Sequence, residues 1–418
     1  MKKVLIVAYF YPPAGEMGTF RTLKFTQYLP EFGFNPLVLT VRNRSVGALD
    51  ETLLDEVPRE TKVIATVSAE HRLLRAPRLL GVNEKWFSIP DQHIGWLPSA
   101  VRHGEAAIRK EGIDMIFATA PVFTSLLVGY ALKKRTRKPL VLELRDPWTQ
   151  NVFVTYPTRF HRKIEERLEK AVLQSADFVV TTTEEMTRAL VEKYPFMRNR
   201  CITIRNGFDS SDFHGLERCA PRGRFTITYA GRLYGLRTAE HFLTAVRNVI
   251  RRHDHLRHSM RVLFAGPKNR RTSSLVERLG LGDVVEMVGF VAHRESLRLM
   301  VNADVLLLVM SGREVVGNGI ETMVIPGKTF QYLGARRPIL ALAPQGAAAD
   351  LIRETGSGVV VPPEDLGAIE GAILELFDRW RAGTLGVAPC DLSAFESRTS
   401  TERLSTILEA VCCSGGGG

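Results

Sequence analysis

The chain has 418 residues, with 56 Lys and Arg against 45 Asp and Glu, a formal charge of +11, and 45% apolar residues. This mixture belongs to an ordinary globular protein of two to three domains, and it excludes a small disulfide scaffold or a disordered tail. Apolar runs such as Ser125–Leu132 and Ala303–Met310 fall well short of the roughly 20 residues that span a bilayer.

The first segment begins with two lysines and an apolar stretch. Tyr9-Phe10-Tyr11-Pro12-Pro13 then stands where a leader needs a longer apolar region and a small-residue cleavage site, so Val4–Ala8 reads as a first strand. Further short apolar runs predict strands at Pro36–Val41, Lys62–Ala65, Asp114–Ala118, Leu140–Leu144, Asp177–Thr181 and Cys201–Arg205. A second series follows at Thr226–Ala230, Arg261–Ala265, Val284–Val288, Asp304–Leu308, Pro338–Ala341 and Gly358–Val361. Helix-length amphipathic segments separate them, which is the pattern of parallel α/β sheets covered on both faces.

The expected fold class is therefore α/β, with two Rossmann-like doubly wound domains facing a central cleft. Turn chemistry at Asn206–Pro221 places the join, giving domains 1–214 and 215–395, a helix at 396–411 packing back on the first domain, and a flexible tail at 412–418. Five cysteines without a CxxC pair suit a reducing cytoplasm.

Ligands of such sheets sit beyond the carboxyl ends of the strands, so the turns after strands carry the functional reading. After the first strand, Gly15 and Gly18 precede a helix expected over Phe20–Phe32. Two glycines there let backbone N–H groups approach an anion at a helix N-terminus, which suits a diphosphate, although a purely structural turn accounts for them as well. In the second half, Arg232 and Arg237 follow the strand Thr226–Ala230. They would place two fixed cations against a leaving diphosphate, with a solvated helix start as the alternative.

These turns, with Glu143-Leu144-Arg145-Asp146-Pro147-Trp148, Arg205-Asn206-Gly207-Phe208-Asp209, Gly231-Arg232-Leu233, Gly289-Phe290-Val291 and Ile325-Pro326-Gly327-Lys328, make the chain resemble the retaining nucleotide-sugar glycosyltransferases of family four, with the GT-B fold. The resemblance implies that the second domain binds a nucleotide-diphosphate sugar and the first binds an acceptor. No metal or other cofactor is implied. On matching positions, Gly15, Gly18, Thr19 and Lys328 would contact the diphosphate, and Phe290, Val291, Thr329, Phe330 and Gln331 the base and ribose. Arg232, Arg237 and Asp146 would serve the chemistry, Asp146 either orienting an acceptor hydroxyl or fixing Arg145.

The chain departs from that family at three places. Gln331 stands where relatives carry a ribose-binding Glu, Met323 replaces its partner acid, and Thr119-Ala120-Pro121 replaces a turn that carries a His. A carboxamide offers one accepting oxygen where a carboxylate accepts two hydroxyls. Glu321 is a candidate substitute. His93 and His103 read as surface residues, and His253, His255 and His258 as a solvated basic loop.

Two basic stretches bear on partners. The run His71–Leu80, with Arg72, Arg75 and Arg78 among leucines and Trp86, Phe87 and Trp96 shortly after, reads either as an interfacial loop on an anionic membrane or as a solvated surface. Lys133–Lys138 ends a helix, where cations favour the dipole. No nucleic-acid motif accompanies the charge. The resulting expectation is a cytoplasmic transferase, with peripheral contact to the inner membrane face left open, acting on a saccharide, glycolipid or small-molecule acceptor in bacterial surface glycan assembly. The alternatives are a sugar-nucleotide 2-epimerase of the same architecture and a catalytically weakened nucleotide-sugar-binding subunit.

Overall fold

The computed structural model describes all residues except 43–48, 71–85, 152–153, 155, 219–222, 234, 313–318 and 415–418. The chain divides into two compact units: Met1–Asn206 together with the chain from Ser397 onward, and Gly207–Glu396. The first boundary lies eight residues before the one read from turn chemistry.

In the first unit β1 (Lys2–Ala8), β2 (Phe34–Val41), β3 (Lys62–Thr66), β4 (Met115–Ala120), β5 (Leu140–Leu144), β6 (Phe178–Thr181) and β7 (Cys201–Thr203) form a parallel sheet in the order β3-β2-β1-β4-β5-β6-β7. Its helices are α1 (Met17–Tyr28), α2 (Leu97–Glu111), α3 (Thr124–Thr136), α4 (Arg159–Ser175) and α5 (Glu184–Lys193). In the second unit β8 (Phe225–Ala230), β9 (Met260–Ala265), β10 (Val285–Gly289), β11 (Val305–Val309), β12 (Ile339–Leu342) and β13 (Gly358–Val361) run in the order β10-β9-β8-β11-β12-β13. Here the helices are α6 (Glu240–Arg252), α7 (His255–Ser259), α8 (Arg270–Arg278), α9 (His293–Val301), α10 (Ile320–Met323), α11 (Gly327–Ala335), α12 (Ala347–Glu354) and α13 (Leu366–Arg381). The last helix, α14 (Ser397–Ser414), belongs to the first unit.

Strand β11 shows why these runs become buried strands. Val305, Leu307 and Val309 enter one core with Phe242 of α6 and Ile373 of α13, whereas Leu306 and Leu308 enter the opposite core with Phe330 of α11 and Leu351 of α12. A period of two with apolar residues on both faces requires cover on both sides. In the first unit Leu404, Leu408 and Val411 of α14, spaced four and three apart, pack with Val4, Ile6, Phe25 and Phe117.

Two expectations shift. Helix α1 begins at Met17 rather than Phe20, with extended Glu16 as its N-cap, and it gives way to a 3₁₀ turn over Leu29–Phe32. Pro30 at the start of that turn lacks the N–H that would continue the α-helical ladder, and Gly33 closes it at φ 82°. His255 and His258 lie on the short helix α7, anchored by buried Leu256, and not in an open loop.

Strand order reverses direction between β1 and β4 in the first unit and between β8 and β11 in the second. Crevices for ligands open beyond the carboxyl ends at such points.

Candidate functional site

At the carboxyl end of β8 the chain turns through Gly231 at φ +114°, and a Cβ there would lie 2.8 Å from Lys328 Nζ. Only a residue tolerant of positive φ and lacking a side chain fits this turn. Gly266, at the end of β9, approaches so closely that its Cβ would stand 2.1 Å from the Gly231 carbonyl oxygen. The strand ends thus present backbone, while side chains arrive from α11 and the turn after β8.

Lys328, in the first turn of α11, sets its ammonium 3.8 Å from the centroid of the Tyr229 ring. Burial and the nearby Arg237 charge hold its pKa well below the ordinary lysine value. Arg232 is exposed at the strand end, and its carbonyl accepts a 3.0 Å hydrogen bond from Tyr229 Oη. Arg237 is almost enclosed. Its Nε and Nη2 donate to Glu321 Oε1 and Oε2 at 2.8 and 3.1 Å. This fork-to-fork pair engages both Glu321 carboxylate oxygens with Arg237.

The other expected donor contacts separate. Phe290 is exposed after β10, and Val291 and Gln331 are half-buried. Phe330, in contrast, is completely buried in the core beside Leu306 and Leu308, and its side chain cannot reach a base or ribose. The Thr329 side chain is likewise enclosed, with no hydrogen-bond partner for its hydroxyl among the described residues. Both corrections have one cause. The three-four spacing of α11 turns Thr329, Phe330 and Leu333 inward, while Gln331 stays half-buried and Lys328 reaches over the Tyr229 ring.

In the first unit, Gly15 and Gly18 border the start of α1, and a Cβ on Gly18 would meet the Phe10 ring at 3.2 Å. The Gly18 carbonyl accepts from Arg145 Nη1 at 2.7 Å, and Arg145 Nε donates to the Ala120 carbonyl at 2.7 Å. Arg145 therefore ties the first turn of α1 to the end of β4. Glu143 balances that cation and Arg21, whose Nε lies 2.8 Å from Glu143 Oε1. Asp146 is half-buried at the end of β5 and adds to the negative field on Arg145. Thr19 corrects the sequence reading. Its side chain is fully buried, and its amide donates to the Glu16 carbonyl at 2.9 Å, so neither group is turned to a phosphate.

Sequence reasoning missed two groups of residues here. Buried Glu165 and Glu169 of α4 hold the turn after β5 by accepting from Trp148 Nε1 at 2.9 Å and from Thr149 Oγ1 at 2.5 Å. Burial raises the Glu165 pKa above the ordinary carboxyl value. His93 is not a plain surface residue. Its ring packs on Tyr9, with centroids 4.3 Å apart, and its Nδ1 lies 3.2 Å from Glu70. Acids on an amphipathic helix read as solvent-facing, and no local spacing links residues 9, 70 and 93. The run containing Arg72, Arg75 and Arg78 lies outside the described residues.

Comparison with known proteins bears on the family and the fold. The model for Glycosyltransferase Family 4 matches residues 23–212, and that for Glycosyl transferases group 1 matches residues 224–379. The chain is similar to the WcaL proteins of Salmonella typhimurium and Escherichia coli, whose names assign them to colanic acid biosynthesis as glycosyltransferases. Identity is 30% over 28% of this chain in the first case and 27% over 43% in the second, and the matches span only 27% and 42% of those relatives. The solved structure of Anabaena HepE in complex with UDP-glucose shares the fold at 15% identity and a TM-score of 0.68, over 98% of this chain and 100% of that one.

Proposed function

The chain belongs to the family 4 glycosyltransferases with the GT-B fold, and on that basis we propose that it moves a sugar from a nucleotide diphosphate to a saccharide or lipid-linked acceptor in surface glycan assembly. The observation that supports this reading is the meeting of Lys328 and Arg237 at the carboxyl end of β8, where Arg232 follows the strand in sequence, next to the reversal of strand order. Three basic side chains around a backbone-lined turn form a receptor for a diphosphate.

In the proposed reaction the bond from the anomeric carbon to the diphosphate oxygen breaks, and its electron pair leaves with the diphosphate. The acceptor oxygen bonds to the same face of the sugar, and its proton passes to a leaving phosphate oxygen. Configuration is then retained without a protein nucleophile. Arg232 and Lys328 stabilise the charge that develops, and this is where fixed donors act most strongly.

Titration calorimetry with UDP, GDP and ADP tests the donor site. A charged hydrogen bond is worth about 1.5–3 kcal/mol, so Arg232→Ala should weaken the preferred nucleotide by roughly ten- to a hundredfold. Failure of the wild type to bind any of the three, or an Arg232→Ala variant that binds as tightly as the parent, contradicts the reading.

Gln331 favours a second reading, that of a nucleotide-sugar-binding subunit with weakened catalysis. With Glu321 held by Arg237, α11 offers a carboxamide where relatives have an acid. Peripheral membrane contact is also proposed. Trp86, Phe87 and Phe160 are 48%, 62% and 67% exposed, and Trp86 and Phe160 both lie against His161, beside Arg159 and Arg162 at the start of α4. Aromatic side chains flanked by cations suit an anionic lipid interface. No described helix is long and apolar enough to cross a membrane.

A further inference from the structure

The cluster of Tyr9, Glu70 and His93 is assigned no part in the reaction above, yet it stands beyond the carboxyl ends of β1 and β3, beside the reversal of strand order in the first unit. Glu70 is buried, and its Oε1 accepts from Tyr9 Oη at 2.6 Å and Ser68 Oγ at 2.8 Å. These hydrogen bonds, with His93, outweigh burial and hold the carboxyl below its ordinary pKa, so it stays ionised. His93 Nδ1 lies 3.2 Å from the same oxygen, out of line for a hydrogen bond, and has no other partner among the described residues. Its proton therefore has one acceptor to face.

The other ring nitrogen points the opposite way. Gln92 Nε2 approaches His93 Nε2 at 3.3 Å, and an amide NH₂ only donates. In the neutral ring this makes Nε2 the accepting nitrogen and leaves Nδ1 to carry the proton. Gln92 is exposed, so a ligand group can take the place of its amide.

The loop that carries the ring is fixed at several points. Asp91 accepts from the Thr124 amide at 2.9 Å and its hydroxyl at 2.7 Å, at the start of α3, and also from the His93 amide at 2.9 Å. Trp96 Nε1 donates to Thr66 Oγ1 at 2.7 Å. A Cβ on Gly95 would come within 2.7 Å of the Glu70 amide nitrogen, so this loop and the Glu70 segment meet backbone to backbone. An accepting nitrogen at a strand-end crevice, with the half-buried Phe10 ring 6.3 Å from the imidazole, matches a sugar, which offers hydroxyl hydrogens and an apolar ring face.

We propose that His93, locked by Glu70, is a binding residue for a hydroxyl of the saccharide acceptor on the first unit. This rests on the transferase reading above and adds where the acceptor is held. The site takes a neutral polyhydroxylated ring, one hydroxyl of which donates to Nε2 in place of the Gln92 amide.

The test uses the full chain and a panel of octyl glycosides of glucose, galactose, mannose, fucose and N-acetylglucosamine, followed by saturation-transfer NMR. His93→Phe keeps a ring against Tyr9 and removes both nitrogens. Glu70→Gln keeps the size of the side chain and removes the charge that fixes the tautomer. The expected result is that at least one glycoside binds the wild type, and that its affinity falls tenfold or more in both variants. UDP, GDP and ADP titrations should be unchanged, and circular dichroism should report the native fold. Binding of no glycoside by the wild type, or glycoside binding that survives in either folded variant, overturns the proposal. Loss of nucleotide binding by the wild type instead overturns the transferase reading, and the glycoside measurement distinguishes the two.

Discussion

Lys328 forms no ion pair with any described carboxylate, and it shares the end of β8 with the Arg237 charge. A lysine held below its unfolded pKa binds fewer protons folded than unfolded, so its cost to stability is removed as pH rises toward the ordinary lysine range. Lys328→Met should therefore be more stable than the wild type near neutral pH, with the difference shrinking as pH increases. Urea unfolding at several pH values measures this, and a pH-independent difference contradicts it. An arriving diphosphate restores the lysine charge, so UDP should bind the wild type less tightly as pH rises, whereas Lys328→Met binds weakly throughout. Gln331→Glu should tighten binding by ~1 kcal/mol, about fivefold, if α11 holds the ribose, because a carboxylate accepts two hydroxyls. Calorimetry that shows equal or weaker affinity would place the ribose elsewhere. The sequence located these residues on the right turns but did not orient them. Arg237 and Glu321 are 84 positions apart, and their pairing depends on the packing of α10 against the turn after β8.

The strands were the most legible elements, because a parallel strand covered on both faces must be a short continuous apolar run, as in Val305-Leu306-Leu307-Leu308-Val309. Each expected strand overlaps an observed one, including Leu140–Leu144 and Gly358–Val361 with unchanged ends. Helix boundaries were less legible. Glu16 stands at the N-cap of α1 in extended geometry without a side-chain bond to the cap amides, so no Ser, Thr, Asp or Asn signal marked its start. Where such a signal exists, as with Thr158 before α4 and Asp365 before α13, the cap oxygen accepts from the first-turn amides. The basic run with Arg72, Arg75 and Arg78 makes a prediction at this scale. If it enters a lipid interface, replacing these three arginines by Ser should weaken co-sedimentation with anionic vesicles, and added salt should weaken the wild type in parallel. Sedimentation equal to the parent would make the basic run a solvated surface.

In the whole molecule, two sheets of the same winding divide the proposed work: nucleotide recognition at the carboxyl end of β8 and the start of α11, and hydroxyl recognition beyond the carboxyl ends of β1 and β3. The doubled architecture was readable from two successive series of strands. The Tyr9, Glu70 and His93 cluster was not, since parallel crossovers bring together residues that no local period relates. The most direct test of the central claim is incubation with a panel of nucleotide sugars, with and without octyl glycosides, followed by detection of nucleoside diphosphate and product. The account predicts diphosphate release matched by glycosylated acceptor, with the anomeric configuration of the donor retained. In Arg232→Ala the rate at saturating donor should be about 10²–10³-fold lower. An isomerised sugar nucleotide, or nucleotide binding with no transfer to any acceptor, would contradict it.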